Sequence, residues 1–169
     1  MSDKRSYPRS VTCDAGNIEI RPMTQADEAA VLDFARSLPV HDLLFLPRNI
    51  SEPKVLAAWV KEIERGGIVS LFAVKDGKVV GCGTIVRDAH SWSPHVGEIR
   101  NVVSPEVRGL GVGRALTQDV FALALEMGLE KLVVQMTVDQ VSGIALFEGM
   151  GFRGEALLRG HVRARDGNK

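Results

Sequence analysis

The feature that most restricts what this chain can fold into is Arg108-Gly109-Leu110-Gly111-Val112-Gly113, which follows the apolar run Val96 to Val103 and opens an amphipathic stretch beginning near Val112. A β run, a glycine turn and a helix start, in that order, make an anion-binding device. Glycines let backbone N–H groups converge on oxygens, while the helix dipole and Arg108 add positive potential. A diphosphate is the guest that suits such a turn. The spacing is not that of a Walker loop, because no Gly-Lys-Ser/Thr follows. It is not the dinucleotide fingerprint either, because neither Gly109-x-Gly111 nor Gly111-x-Gly113 has a further glycine three residues on. It fits Arg-x-x-Gly-x-Gly.

The rest of the chain reads as one layered domain of mixed β and α elements. Residues 1–16 are polar and aperiodic and are expected to be a flexible N-terminal lead, with the domain proper at 17–169 and a first strand at Ile18 to Arg21. Thr24 with Asp27 starts a helix whose face is Val31, Leu32, Ala35 and Leu38, and Pro39 stops it. Ser51 caps a second helix carrying Val55, Leu56, Trp59, Val60 and Ile63, which ends at Gly66-Gly67. Ile68 to Val74 and Val79 to Val86 flank Asp76-Gly77 and read as an antiparallel hairpin. Leu116, Val120, Leu123 and Met127 form the seam of a helix laid on a sheet, ended by Gly128. Leu132 to Val138 is a further strand, followed by a short helix near Ser142 to Gly149 and a last β-like run from Phe152 to Val162.

With the lead-in Val103-Ser104-Pro105-Glu106-Val107-Arg108-Gly109, the glycine loop resembles the acetyl-CoA site of the GCN5-related N-acetyltransferases (GNAT). The ending Leu146-Phe147-Glu148-Gly149-Met150-Gly151-Phe152 is similar to that family's Leu-Tyr-Glu-x-x-Gly-Phe, and the resemblance runs from about Ile18 to about Val162. It implies an α/β (α+β) fold, a mixed and mostly antiparallel sheet flanked by about four helices. It also implies direct transfer of an acetyl group from acetyl-CoA to an amine. The backbone of Val102 and Val103 would pair with pantetheine, and Arg108, Gly109, Leu110, Gly111, Val112 and Gly113 would wrap the pyrophosphate. The N–H of Val103, if a bulge frees it from the ladder, is the candidate oxyanion donor.

An alkylammonium acceptor must lose a proton before it attacks, so a carboxylate is needed nearby. Glu98 on the third β run is the candidate base; it is equally readable as an ordinary strand glutamate pairing near Arg100, and Asp139 is the second option. The chain departs from the family pattern where the leaving thiolate would take its proton. Phe147 stands at the position of the usual tyrosine, and the single tyrosine of the chain is Tyr7. Phe147 can pack beside the sulfur but cannot donate. Gln140 stands where asparagine is usual and can still bond pantetheine through its amide, and Gly143 stands where alanine is usual. Cys82 and Ser142 are weak substitutes for the acid, better explained by core packing and helix capping. The missing tyrosine leaves open an alternative, an acyl-CoA-binding sensor or partner-binding module of the same fold.

Composition narrows the remaining classes. Lys and Arg number 21 and Asp and Glu 21, so nothing marks the chain for nucleic acid or an anionic membrane. No apolar run approaches the roughly 20 residues a bilayer requires. Cys13 and Cys82 lack metal-ligand spacing, as do His41, His90, His95 and His161, so no metal and a cytoplasmic protein with free thiols are expected. The resemblance implies an acceptor that is a small-molecule amine or a protein amino group. His41 and Leu43-Leu44-Phe45-Leu46 lie where this fold builds a wall of the acceptor pocket, although core packing explains the apolar run better. Trp92 borders that cleft or covers the sheet. Arg165-Asp166-Gly167-Asn168 reads as a hairpin turn with only Lys169 after it. If no further strand follows, residues 152–162 have an unpaired edge that admits a homodimer.

Overall fold

The computed structural model describes residues 5–43 and 49–161. One sheet runs in the order β1 (Arg9–Cys13), β2 (Gly16–Pro22), β3 (Ile68–Lys75), β4 (Lys78–Val86), β5 (Val96–Val103) and β6 (Lys131–Val134). Every neighbouring pair is antiparallel except β5 with β6, which is parallel. The helices are α1 (Glu28–Ser37), α2 (Val40–Leu43), α3 (Pro53–Glu64), α4 (Val112–Glu126) and α5 (Val141–Gly149). Among the described residues that is one helix more than the sequence suggests, because the short α2 follows Pro39 directly.

Two apolar layers enclose the sheet. On one face α4 brings Val112, Leu116 and Val120 against Ile18, Ile20, Leu71 and Ile99. On the other, Val31 and Phe34 of α1 and Leu56 and Val60 of α3 cover Phe72, Cys82 and Val102. A Cβ on Gly83 would stand 2.6 Å from Val120 Cγ2, so the bare glycine is what allows α4 to lie so close to β4. The β3–β4 hairpin turns at Asp76 (φ 49°) and Gly77 (φ 77°), both in the left-handed region that a tight primed turn requires.

Four expectations are corrected. Arg9–Cys13 is not part of a flexible lead but a strand paired with β2. It is pinned at a distance, because the fully buried carboxylate of Asp119 on α4 accepts hydrogen bonds from Arg5, Tyr7 and Arg9 at 2.7–3.1 Å. A buried carboxylate is stable only when paired in this way. Ser51 does not cap α3: the N-cap is Glu52, Pro53 fills the first helical position, and the Ser51 hydroxyl donates to Asn49 at 2.6 Å. β6 stops at Val134 rather than Val138, at the point where it stops pairing with β5. Residues 152–161 form no strand, since a strand needs a ladder neighbour and no described residue supplies one. His161 is therefore not on a strand; the turn expected at 165–168 lies outside the described residues.

Candidate active site

Where β5 and β6 part, the sheet opens a slot. Their parallel pairing runs from Val96↔Lys131 to Ile99↔Val134, whereas β5 stays on β4 as far as Val103↔Gly81. Ser104 N–H donates to the Val80 carbonyl at 2.8 Å, which fixes the phase of that ladder. The even-numbered residues of β5 bond to β4, and the peptide groups of Asn101 and Val103 point away from it, into the opening. The Val103 carbonyl is found there, accepting from Arg108 Nε at 3.2 Å and Nη2 at 3.1 Å. The β4–β5 register runs without a shift, and the irregularity of the sheet lies at Ala73/Val74. Val103 N–H is thus turned to the slot by strand divergence, and no bulge in the β4–β5 ladder is needed to free it.

The slot encloses about 470 Å³ and is lined by Val102 and Val103 on one side and by Met136, Gln140 and Phe147 on the other, with the glycine loop at one end. Gly109 (φ 74°) and Gly111 (φ 86°) hold left-handed conformations that side chains resist, and Gly111 is the N-cap of α4. The first intrahelical bond is Ala115 N–H to the Gly111 carbonyl at 3.0 Å, so the N–H groups of the turn before it have no partner within the helix. Arg114 in that turn lines the slot, a cation placed against the helix dipole as an anion site would need. Gln140 is the N-cap of α5, so a second helix start faces the same space.

The loop arginine is engaged on both sides. Besides the Val103 carbonyl, Arg108 donates to the buried Asp42 of α2 at 2.5 Å. On the same short helix His41, the neighbour of Asp42, bonds Asp139 Oδ2 through Nε2 at 2.7 Å. Thr137 donates to the other Asp139 oxygen, and these hydrogen bonds, with Thr137's the largest, hold the Asp139 carboxyl below the usual carboxylate range. Asn101 donates from its amide nitrogen to Thr117 Oγ1 at 2.5 Å and to the Gly113 carbonyl at 3.4 Å, while its buried Oδ1 has no partner.

The other candidates are spread out. Glu98 is on β5 in a two-pronged ion pair with Arg100, at 2.9 and 3.1 Å. Arg100 lines both the slot and a second cavity of about 700 Å³, whose wall includes Trp59, Glu62, Thr84 and Arg87. Phe147 is buried and meets Phe152 edge to face, with ring centroids 5.1 Å apart. A Cβ on Gly143 would come within 3.2 Å of Met136 Sδ, so this methionine fills the space of the usual alanine methyl. Ser142 lines the slot. Cys82 does not: it is buried under α1 and α3, where burial pushes its thiol up to about 12 against a smaller opposing hydrogen bond from Thr84. Tyr7 is committed to Asp119, and burial raises its hydroxyl. Trp92 is fully exposed and borders neither cavity. Leu44, Phe45 and Leu46 lie outside the described residues. Among the described residues no group of three or more His, Cys, Asp or Glu converges on a metal position.

Asp42, Asn101 and Arg114 are not marked as site residues by the sequence, and nothing in it joins His41 to Asp139. Arg114 carried a signal, a cation in a first helical turn; the others are united only by contacts across the fold.

Residues 32–152 match the model of the acetyltransferase (GNAT) family. Over 83 residues the chain is 36% identical to an IAA acetyltransferase of Azospirillum brasilense, a match that spans 48% of this chain and 52% of that protein, so about half the length of this relative is represented. Among solved structures, the GNAT domain of S. lividans PAT superposes with a TM-score of 0.78 over 91% of this chain and 92% of that one at 18% identity, a likeness of fold. The ribosomal-protein-alanine N-acetyltransferase of Brucella melitensis is 26% identical, with a TM-score of 0.69 over 79% of this chain and 83% of its own. The glycine loop at the mouth of parted parallel strands and the family match over most of the sequence have the same meaning: this chain belongs to the GNAT acetyltransferase family.

Proposed function

We propose that the protein transfers an acetyl group from acetyl-CoA to an amine by direct attack. One observation carries this reading: the parting of β5 from β6 turns the peptide groups of Asn101 and Val103, which do not bond to β4, into a slot that ends on the glycine-capped start of α4. Such a slot suits a long, amide-bearing chain ending in a diphosphate. In this reading Val102 and Val103 pair with pantetheine, and Arg108 to Gly113 with Arg114 hold the pyrophosphate. Gln140 bonds the pantetheine arm and Phe147 packs beside the sulfur. Val103 N–H faces the developing oxyanion, and Glu98 removes the proton of the amine, directly or through water, once Arg100 shares it.

The acceptor is a small-molecule amine or a protein amino group, and it enters from the cavity that meets the slot at Arg100. The similar proteins carry names pointing to different acceptors, so no single one is assigned. We place the protein in the cytoplasm, in keeping with two free thiols, and the reading needs neither metal, nucleic acid nor membrane. No helix of the described residues is long and apolar enough to cross a bilayer. Calorimetric titration with acetyl-CoA tests the donor half of the reading. Saturable binding to one site is expected; no heat and no competition by free CoA would remove the transferase reading and the sensor alternative together. Binding without turnover across a broad amine panel would favour the sensor, a reading that the hydroxyl-free Phe147 supports.

A further inference from the structure

The departing sulfur of an acetyl thioester needs a proton or a positive charge, and the family's usual donor is absent here. Position 147 is a buried phenylalanine, Tyr7 is tied to Asp119, and Cys82 is sealed under the opposite layer. The charged or ionisable side chains of described residues that do line the slot are His41, Asp42, Arg100, Arg108, Arg114 and Asp139. Asp42 is neutralised by Arg108, and arginines do not release protons near neutrality. Histidine is the one type among these whose ordinary titration lies in the working range. His41 comes to the slot on α2 and is oriented there by Asp139, 98 residues away, at 2.7 Å. Both side chains are about half exposed, so the ring keeps access to solvent protons. Asp139 bonded to one ring nitrogen fixes the orientation of the imidazole, the arrangement that orients histidine in other acid–base sites.

We propose that His41, held by Asp139, takes the place of the missing tyrosine as the group that receives the departing thiolate. The proposal rests on the acetyltransferase reading above. The amine nitrogen bonds to the acetyl carbon, and the carbon–sulfur bond breaks with its electron pair on sulfur. The surplus proton of the nitrogen goes to Glu98, and sulfur takes the proton of the His41 imidazolium. Glu98 returns its proton to His41 through solvent, so each turnover leaves the protein as it began. Asp139 is a positioning residue in this scheme: it acts through the ring.

The test needs no acceptor. Free CoA is bound to the protein, and ionisation of its thiol is followed by thiolate absorbance across a pH series, in the parent and in His41→Gln and Asp139→Asn variants. A cationic ring beside the sulfur should lower the bound thiol's midpoint by at least about one pH unit from the ordinary value near 8.5. His41→Gln should abolish the shift and Asp139→Asn should reduce it, with CoA affinity in both variants within about threefold of the parent. Equal midpoints in parent and His41→Gln overturn the proposal while leaving the donor site standing. Variants that lose CoA affinity in step with the shift also overturn it, because His41 then acts by holding CoA and not on the sulfur. If the parent fails to bind CoA, the acetyltransferase reading itself falls. Where an acceptor is turned over, His41→Gln should slow transfer from acetyl-CoA about tenfold or more, yet leave transfer from an aryl thioester unchanged, since an aryl thiolate departs without help.

Discussion

The two cavities that meet at Arg100 are built from different materials. The slot between β5 and β6 is shaped largely by main chain: peptide groups turned out of a ladder, a left-handed glycine as N-cap, and two helix starts. The second cavity is walled by side chains, with Trp59 and Thr84 beside the Glu62–Arg65 and Glu98–Arg100 ion pairs. Main-chain geometry follows from glycine positions and strand pattern, and many sequences can produce it. Side-chain walls change with every substitution. A shared donor and a variable acceptor would place their contacts in this way, and the division can be probed from both sides.

The sharpest probe is Glu98→Gln, which leaves the β5 backbone in place and removes the carboxylate paired with Arg100; Glu98 itself lines neither cavity, and Arg100 lines both. Turnover of any accepted amine should fall by about 10²–10⁴, the range for loss of a general base. Acetyl-CoA affinity should hold within about twofold. If turnover is unchanged, the Glu98–Arg100 pair is structural only. The reciprocal probe is the Arg108→Ala, Gly111→Ala double variant, which attacks the main-chain site. A Cβ at Gly111 would have φ 86° and lie 3.1 Å from Cys13 Cβ. The strained loop and the lost guanidinium together should weaken acetyl-CoA binding about 100-fold by calorimetry. Glu62→Gln, on the second cavity, should leave that affinity alone. If the double variant still binds acetyl-CoA with parental affinity, the loop is not the donor site.

Acid should loosen the α1 side of the sheet through one ion pair. Arg21 bonds both oxygens of Asp27 at 2.7 and 2.9 Å and sits over the Phe72 ring, pinning the chain just before α1 on the acceptor side. That ion pair, more than the bonds from Thr24, brings the Asp27 carboxyl down to about 2. Because the folded value lies below the unfolded one, the contribution to stability is complete above about pH 4 and disappears as pH falls toward 2. Asp27→Asn should therefore cost about 2 kcal/mol at neutral pH and flatten the acid limb of a denaturation series between these values. An equal loss for parent and variant across that range would assign the acid limb to other carboxylates.

The same contrast explains what could be read from the sequence. The turn at Asp76-Gly77, the start of α4 at Gly111 and the hairpin of β3 with β4 depend on local residue types, and they stand where the sequence puts them. β1 did not announce itself, because the reason for it is Asp119, more than 100 residues from Arg5, Tyr7 and Arg9. Glu98 and Phe147 were legible as candidates by motif. Their partners were not: Arg108 with Asp42 spans 66 residues and His41 with Asp139 spans 98. The shortening of β6 is likewise a property of the pair, since only the parting from β5 ends its ladder.

The smallest expected effect is also the most discriminating. Phe147 lies against the slot with its ring edge to Phe152, so Phe147→Tyr adds one hydroxyl at a position the family uses for its acid and changes little else. If protonation of the thiolate has no other source, the new hydroxyl should raise kcat several-fold. If His41 already provides that proton, the gain should be less than about twofold in the parent background and should appear only beside His41→Gln, where the tyrosine restores what the glutamine removed. Single and double variants measured with acetyl-CoA and with an aryl thioester complete the cycle. Additive effects would mean that the two groups never share the sulfur. Rescue confined to the natural donor would mean that a side chain on α2 has taken over chemistry normally carried by α5.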